Sequence, residues 1–447
     1  MEKYMDHAYF IFLAKYVQNV HNFEKIFSQT NYKKTNEFKK ETLYDLSNEI
    51  DIDQEYEATN VNINEQVLTL MDKISDLSDQ NEINSILCEI AQLSTCDFDE
   101  CSIFFNTKFV FDLLKYFPES NKKMWFLICH NIFINEKFSR ELFDFFIQSG
   151  FHLELKKSFS IVEENDFSMI EQFLYQFYTY NTEILHEFVV LIPFFINNIE
   201  SKNTEIQISS IHSLIYLIHN CSNFSFAIES NLVPFIETTI KFANSDIFFE
   251  LLSLINNIFT LLNTYQNSEN DKNLNKSIMA NFLTCEFISL IQSYIDRVNH
   301  HQMKYIIDFY NYLIIQDSTL FFSCHILDNL LVLYSDASVK LRKRIIDFLS
   351  YTFSMICSYY SNNLSNSLIK RILSYFMEIC ILLEPEKKHF ILELIHNYFE
   401  YAPETVLEVS SEVVFNETLR EIIDEGVPNV FESASSLYQL ISPNLDS

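Results

Sequence analysis

Only two glycines occur in the 447 residues, Gly150 and Gly426. Loops that cradle phosphate need glycine, because the backbone must approach the ligand at positive φ. A P-loop, a dinucleotide fingerprint, a kinase glycine loop or a nucleophile elbow therefore cannot be written in this chain. Sandwiches and barrels also rely on glycine turns, so β architectures are disfavoured. Seven prolines leave long uninterrupted stretches for helix, and 48% hydrophobic residues are ample for a core. A chain this long exceeds one compact helical domain, which leaves several domains or an array that grows in one dimension.

A recurrent segment favours the array. FLICHNIF at 126–133, YLIHNC at 216–221, SLINNIF at 253–259, DFYNYL at 308–313, DFLSYT at 347–352 and ELIHNYF at 393–399 share one character. In one register they align Asn131, Asn220, Asn257, Asn311, Ser350 and Asn397, with Gln176 of FLYQFY between the first two. The steps are 45, 44, 37, 54, 39 and 47 residues, a mean of about 44. The long step contains the polar insert NSENDKNLNK at 267–276. Helical repeats near this period are what armadillo and HEAT arrays show.

The stretch between two marks reads as three helices. A short helix ends at Asn231, a second is predicted over Leu232–Phe242 and a third over Asp246–Thr260. Asn231 sits where one helix must stop and the chain turn through the left-handed region. Gly150 and Gly426 are expected at the same place in their own units. Pro234 and Pro428 follow within three residues, in a first helical turn, where proline is tolerated.

FAIESNLVPFIETTIKFANSDIFFELLSLINNIF resembles the armadillo unit, in which a short helix runs into Gly, then Ala-x-x-Pro-x-Leu, then a long helix ending in Asn. The resemblance spans roughly residues 61–442 and is strongest at 203–260 and 412–442. It implies an all-α fold, a right-handed armadillo-type superhelix or solenoid. It also implies that Asn131, Asn220, Asn257, Asn311 and Asn397 line a concave groove and hold the backbone of an extended peptide. An amide side chain can give and take one hydrogen bond each with such a backbone. The alternative is that each Asn caps or bonds a neighbouring turn within the array. The likeness to importin-alpha is distant: the Trp that those proteins place four residues before the Asn is replaced by Leu127, Tyr216, Ser253, Ile307 and Glu393.

Outside the array, residues 1–60 read as one amphipathic helix, with Tyr9, Phe10, Leu13, Val17 and Val20 at helical spacing, followed by a polar linker from about residue 30. Residues 443–447 read as a tail. The start of the chain does not read as a signal peptide, and the longest apolar run, Phe188–Ile196, is about half a membrane span. Nine singly scattered cysteines without a C-x-x-C pair read as reduced thiols, which fits a cytoplasmic or nuclear, monomeric protein.

The net charge is −30, from 61 acids against 31 bases. That disfavours nucleic acid and anionic membranes as partners and favours a basic protein or peptide. Glu250, Asp308 and Glu393 lie seven, three and four residues before Asn257, Asn311 and Asn397, spacings that share a helical face. They are candidate acceptors for Lys or Arg side chains of a bound segment. The stripe Glu404, Glu408 and Glu412 and the basic cluster Lys340, Arg342, Lys343 and Arg344 both read first as solvated helix faces. Histidines, cysteines and acids form no zinc-ligand or nucleophile pattern, so no enzyme, metal or cofactor is expected. The expected role is a protein-binding scaffold or adaptor with an acidic groove. A helical regulatory subunit docking on an enzyme through its outer face, or a divergent nuclear-import adaptor, stands as the alternative.

Overall fold

The computed structural model describes residues 63–75, 77, 79–94, 102–105, 109, 122–134, 138–158, 167–219, 221–264, 276–360 and 366–442. The chain divides into two units, 1–62 and 63–447, and everything below concerns the second. The N-terminal helix and linker, Asn220, nearly all of the 267–276 insert and the tail lie outside the described residues.

The described residues form helices and no strand. The array opens with α1 (Ile63–Ser75), α2 (Gln80–Leu93) and α3 (Lys122–Phe133). A first complete unit is α4 (Arg140–Gln148), α5 (Phe151–Ser158) and α6 (Phe167–Tyr180). In the next, a 3-10 helix (Thr182–Leu191) and α7 (Ile192–Asn198) precede α8 (Thr204–Leu217). Then come α9 (Cys221–Glu229), α10 (Leu232–Thr239) and α11 (Ser245–Thr264). A short helical stretch at 276–280 leads to α12 (Cys285–Tyr294) and α13 (Gln302–Gln316). The C-terminal units are α14 (Ser318–Ser323), α15 (Ile326–Asp336), α16 (Val339–Tyr360); α17 (Asn366–Cys380), α18 (Pro385–Tyr401); and α19 (Pro403–Ser410), α20 (Val413–Glu425), α21 (Pro428–Ile441).

Third helices stack on third helices. The series α2, α3, α6, α8, α11, α13, α16 packs neighbour on neighbour, and α18 packs on α21. Between α16 and α18 the link is made by Tyr351 on Phe390, ring centroids 5.7 Å apart, and by Lys387 on Asp347. Substantial helix packing among the described residues is confined to the same or adjacent units, as stacking requires when no unit can bury its own apolar face.

Local chemistry sets the helix ends. Asp79, Ser139, Asn203, Thr284 and Asp317 each accept a hydrogen bond from a backbone N–H of the helix they start. Pro385, Pro403 and Pro428 each occupy a first helical position. The predicted second and third helices at 232–242 and 246–260 appear as α10 with a 3-10 turn over Ile240–Phe242, and as α11. By length and composition α11 is the one described helix apolar enough to cross a membrane, but 72% of that stretch is buried inside the array between α8 and α11's other neighbour, α13.

Among the described residues, four turn the chain at positive φ: Gly150 (80°), Asn231 (63°), His325 (54°) and Gly426 (67°). Gly150, Asn231 and His325 occupy one place, the corner from first to second helix. Gly426 does not: it ends α20, a second helix, and leads into the third helix α21. The expectation of a single shared corner is therefore corrected for Gly426. In its unit the first corner is made at Ser411 and Glu412 with negative φ, so no left-handed residue is needed there. His325 takes in its unit the place that Gly150 and Asn231 take in theirs.

Aromatic residues fill the seams between units. Phe133 of α3 meets Phe138, Phe146, Phe151 and Phe173, with centroids 4.6, 4.8, 5.3 and 5.2 Å away. All five rings are buried, each contributing about 1.5–3 kcal/mol of transfer free energy. This is where much of the chain's Phe content goes.

Candidate functional site

The third-helix face carries the residues singled out from the sequence, but they divide into tied and open groups. Asn131 is 5% exposed, and its Nδ2 donates to Ser94 Oγ at the end of α2, 2.8 Å away. Gln176 is 7% exposed and donates to the Phe133 carbonyl of the preceding third helix at 3.0 Å. Both amides fasten one unit to the next, the alternative given above for the amide register. In α11 it is Asn256 that plays this part, donating to the Tyr305 carbonyl of α13 at 2.9 Å. Asn257, one residue on, is half-buried and donates to the Ser253 carbonyl of its own helix. Asn311 is half-buried, and Ser350 is buried with its hydroxyl on the Asp347 carbonyl. Asn397 is exposed.

Charge follows the same division. His212 of α8 sits between Glu171 of α6 and Glu250 of α11. Its Nδ1 is 2.8 Å from Glu171 Oε1, and its Nε2 is 3.0 Å from Glu250 Oε2. Burial pulls the imidazole pKa down. The attraction of two carboxylates and the hydrogen bonds to both outweigh burial and hold it well above its ordinary value. The ring is thus an imidazolium donating from both nitrogens, which ties Glu250 to Glu171 across α8 and leaves the trio one net negative charge.

One unit further on, Asp308 is enclosed with Lys304 of its own helix and Arg344 of α16. Burial raises the carboxyl pKa against the pull of these two cations. Burial likewise lowers the ammonium of Lys304, against Asp308. Arg344 also faces Asp347, which accepts from Lys387 of α18 at 2.7 and 2.6 Å. Acid and base therefore alternate along the middle of the face, from Glu171 to Lys387. The basic cluster at 340–344 is not a free cationic patch. Arg342 binds Glu378 Oε1 at 2.7 Å and the Ala337 and Ser335 carbonyls, while Arg344 belongs to the charge chain just described. In the acidic stripe, Glu408 pairs with Lys370, and Glu412 accepts from Ser374 Oγ at 3.0 Å.

The open group lies at the C-terminal end. A cleft of about 470 Å³ between α18 and α21 is lined by His389, Glu393, His396, Asn397, Asn429 and Glu432, with Ser433 and Ser436 at its wall. Glu393, Asn397, Asn429 and Glu432 are all exposed. His389 Nδ1 meets Ser433 Oγ at 2.8 Å, and its Nε2 is 3.8 Å from Glu393 Oε1. The order Ser–His–Glu is that of a nucleophile, base and orienting acid, but the carboxylate is beyond hydrogen-bond length. The surface is also open to water, so no preorganised site for a developing charge exists there. These contacts set side-chain positions. Glu393 belongs to this cleft and, unlike Glu250 and Asp308, stands open to solvent. Asn429 and Glu432 were not singled out from the sequence. Their position 32 to 39 residues after Glu393 and Asn397, somewhat under one period, was the available signal.

No family model matches the chain, and no curated protein does. Solved structures do. An engineered protein superposes with a TM-score of 0.52 at 12% identity, over 85% of this chain and 99% of its own. A designed armadillo repeat protein in complex with the peptide (KR)4 matches at 12% identity and TM-score 0.42, over 56% of this chain and 99% of its own. The chain is an all-α solenoid. Its third-helix layer is therefore one continuous face, tied internally over most of its length and open at its C-terminal end.

Proposed function

We propose that this protein is a non-enzymatic binding scaffold that holds an extended, basic segment of a partner protein on the third-helix face of its C-terminal units. The observation that supports this reading most is the cleft between α18 and α21, where two carboxylates and two amides stand open together. An extended segment presents N–H and C=O groups that Asn397 and Asn429 can bond without reading sequence. Lys or Arg side chains beside that backbone find Glu393 and Glu432. Each such exposed pair contributes only about 0.2–1 kcal/mol, so affinity rests on several acting at once. The net charge of −30 draws cationic segments toward the molecule and adds to the encounter rate. Glu250 and Asp308 have no place in this contact, because Glu250 is bound to His212 and Asp308 lies beside Lys304 and Arg344, away from the cleft. Their part is to hold consecutive units in register so that the open end is presented on a rigid support.

The test is a fluorescence-anisotropy titration of the full chain with a labelled Lys/Arg-rich peptide, at low and high salt, beside an Asp/Glu-rich peptide of equal length. Binding of the basic peptide alone, weakening as salt rises, is the expected result. Equal binding of both peptides, or affinity that ignores salt, contradicts it and favours docking on the outer helices.

A further inference from the structure

Between a second helix and the first helix of the next unit, two cysteines meet. Cys285 opens α12, the second helix of its unit, and Cys324 closes α14, the first helix of the next. Their sulfurs are 3.7 Å apart, although 39 residues separate them in the chain. Cys285 is exposed and Cys324 half-buried, whereas Cys129, Cys357 and Cys380 are buried. The corner is held from both units. Gln292 of α12 donates to the Cys324 carbonyl at 2.8 Å, and His325 turns the chain at positive φ immediately after Cys324. The two thiols are therefore kept in contact by backbone-anchored structure. A disulfide needs the sulfurs at about 2.05 Å, so the pair at 3.7 Å must close by roughly 1.7 Å.

We propose that Cys285 and Cys324 form a reversible oxidation site, in which a peroxide converts the pair to a disulfide that fastens the two units together. The Cys285 thiolate, the more accessible of the two, attacks one peroxide oxygen. The O–O bond breaks, Cys285 becomes a sulfenic acid, and the released hydroxide takes up the thiol proton as water. The Cys324 sulfur then attacks the Cys285 sulfur. The S–S bond forms, the S–O bond breaks, and the departing hydroxide leaves as a second water with the Cys324 proton. Two thiols lose two electrons and hydrogen peroxide gains them. A dithiol reductant reverses the step. Burial and the hydrogen bond to Cys285 keep the Cys324 thiol protonated, consistent with its acting second. The cross-link closes a loop of about 40 residues and removes the freedom of these two units to part.

The experiment treats the full chain with hydrogen peroxide and maps its tryptic peptides without reduction. The linked pair is peptide 277–297 with peptide 305–340, each of which carries one cysteine. The proposal predicts this pair as the dominant cross-link in the folded protein, lost on reduction, and diluted among mixed pairings when oxidation is done in urea. Cys324→Ser should leave Cys285 trappable by dimedone as a sulfenic acid, and Cys285→Ser should leave Cys324 a free thiol after the same treatment. A folded wild type that keeps both thiols or oxidises each separately overturns the proposal. So does a linked pair that forms as readily in urea, or a Cys285→Ser variant whose Cys324 oxidises at the wild-type rate.

Discussion

Replacing His212 with alanine tests whether the middle of the third-helix face is held by buried charge. The imidazolium makes two hydrogen bonds, at 2.8 and 3.0 Å, to carboxylates on the preceding and following third helices. Its side chain and those of Glu171 and Glu250 are 20, 13 and 23% exposed, so water screens the trio little. Hydrogen bonds to charged groups contribute about 1.5–3 kcal/mol each, and removing the shared cation leaves two like charges facing one gap. The loss should be about 3–5 kcal/mol, the range for breaking a buried ion pair. An array of this kind need not unfold in one step, so the appropriate assay is native-state hydrogen exchange over α6, α8 and α11. In a Glu171→Gln, Glu250→Gln background the same His212→Ala change should cost well under half as much, because no unpaired carboxylates remain. The pH dependence has a definite sign. The folded pKa of His212 is raised above the unfolded value of about 6.5. The stabilisation is thus fully present below pH 6.5 and is lost as pH rises through the folded value. A His212→Ala cost below about 1 kcal/mol, or local stability over these helices that does not decline in the alkaline range, would refute the reasoning.

Other perturbations follow from the same geometry. Lys388 is 5% exposed and meets both Glu425 oxygens, at 2.8 and 2.6 Å; Lys388→Ala should destabilise the last two units by about 3 kcal/mol, read as faster exchange in α18 and α20. Gly426→Ala at φ 67° should cost about 1 kcal/mol from backbone strain alone, read by native-state hydrogen exchange, since the added carbon meets nothing closer than 4.0 Å. His325→Gly should stabilise by about 0.5–1 kcal/mol in the same assay, because it relieves a left-handed residue with a side chain.

The repeat was legible because a stacked helix must bury the same face every period. The second and third helices at 232–260 were placed to within a few residues for that reason. The site was only partly legible. Asn256 and Asn257 are adjacent amides about 100° apart on one helix, and sequence alone does not say which of them faces the neighbouring unit. The corner at His325 carries no glycine or asparagine, so the usual mark of left-handed backbone is missing there. Glu250 looked like a free acid because its partner His212 is one unit away and so invisible to i, i+4 reasoning; for Asp308, Lys304 stands one turn earlier in its own helix, but Arg344 is a unit away. A signal for them exists nevertheless. Glu171 to His212, His212 to Glu250, Asp347 to Lys387 and Lys388 to Glu425 are separated by 41, 38, 40 and 37 residues, each close to one period. In a solenoid, opposite charges one period apart are the pairs to suspect.

The third-helix face is open at its C-terminal end and tied by internal contacts in its middle. Two variants probe it on one surface: Glu393→Lys with Glu432→Lys in the cleft, and Asp308→Asn in the charge chain. Reversing both cleft charges removes two attractions and adds two repulsions, each worth about 0.2–1 kcal/mol. Affinity for a Lys/Arg-rich peptide at low salt should therefore fall about tenfold or more. Asp308→Asn, with fold retained, should leave that affinity within about twofold, since the aspartate is half-buried beside Lys304 and Arg344 and does not line the cleft. Loss of binding in Asp308→Asn with the cleft variant unaffected would contradict the assignment.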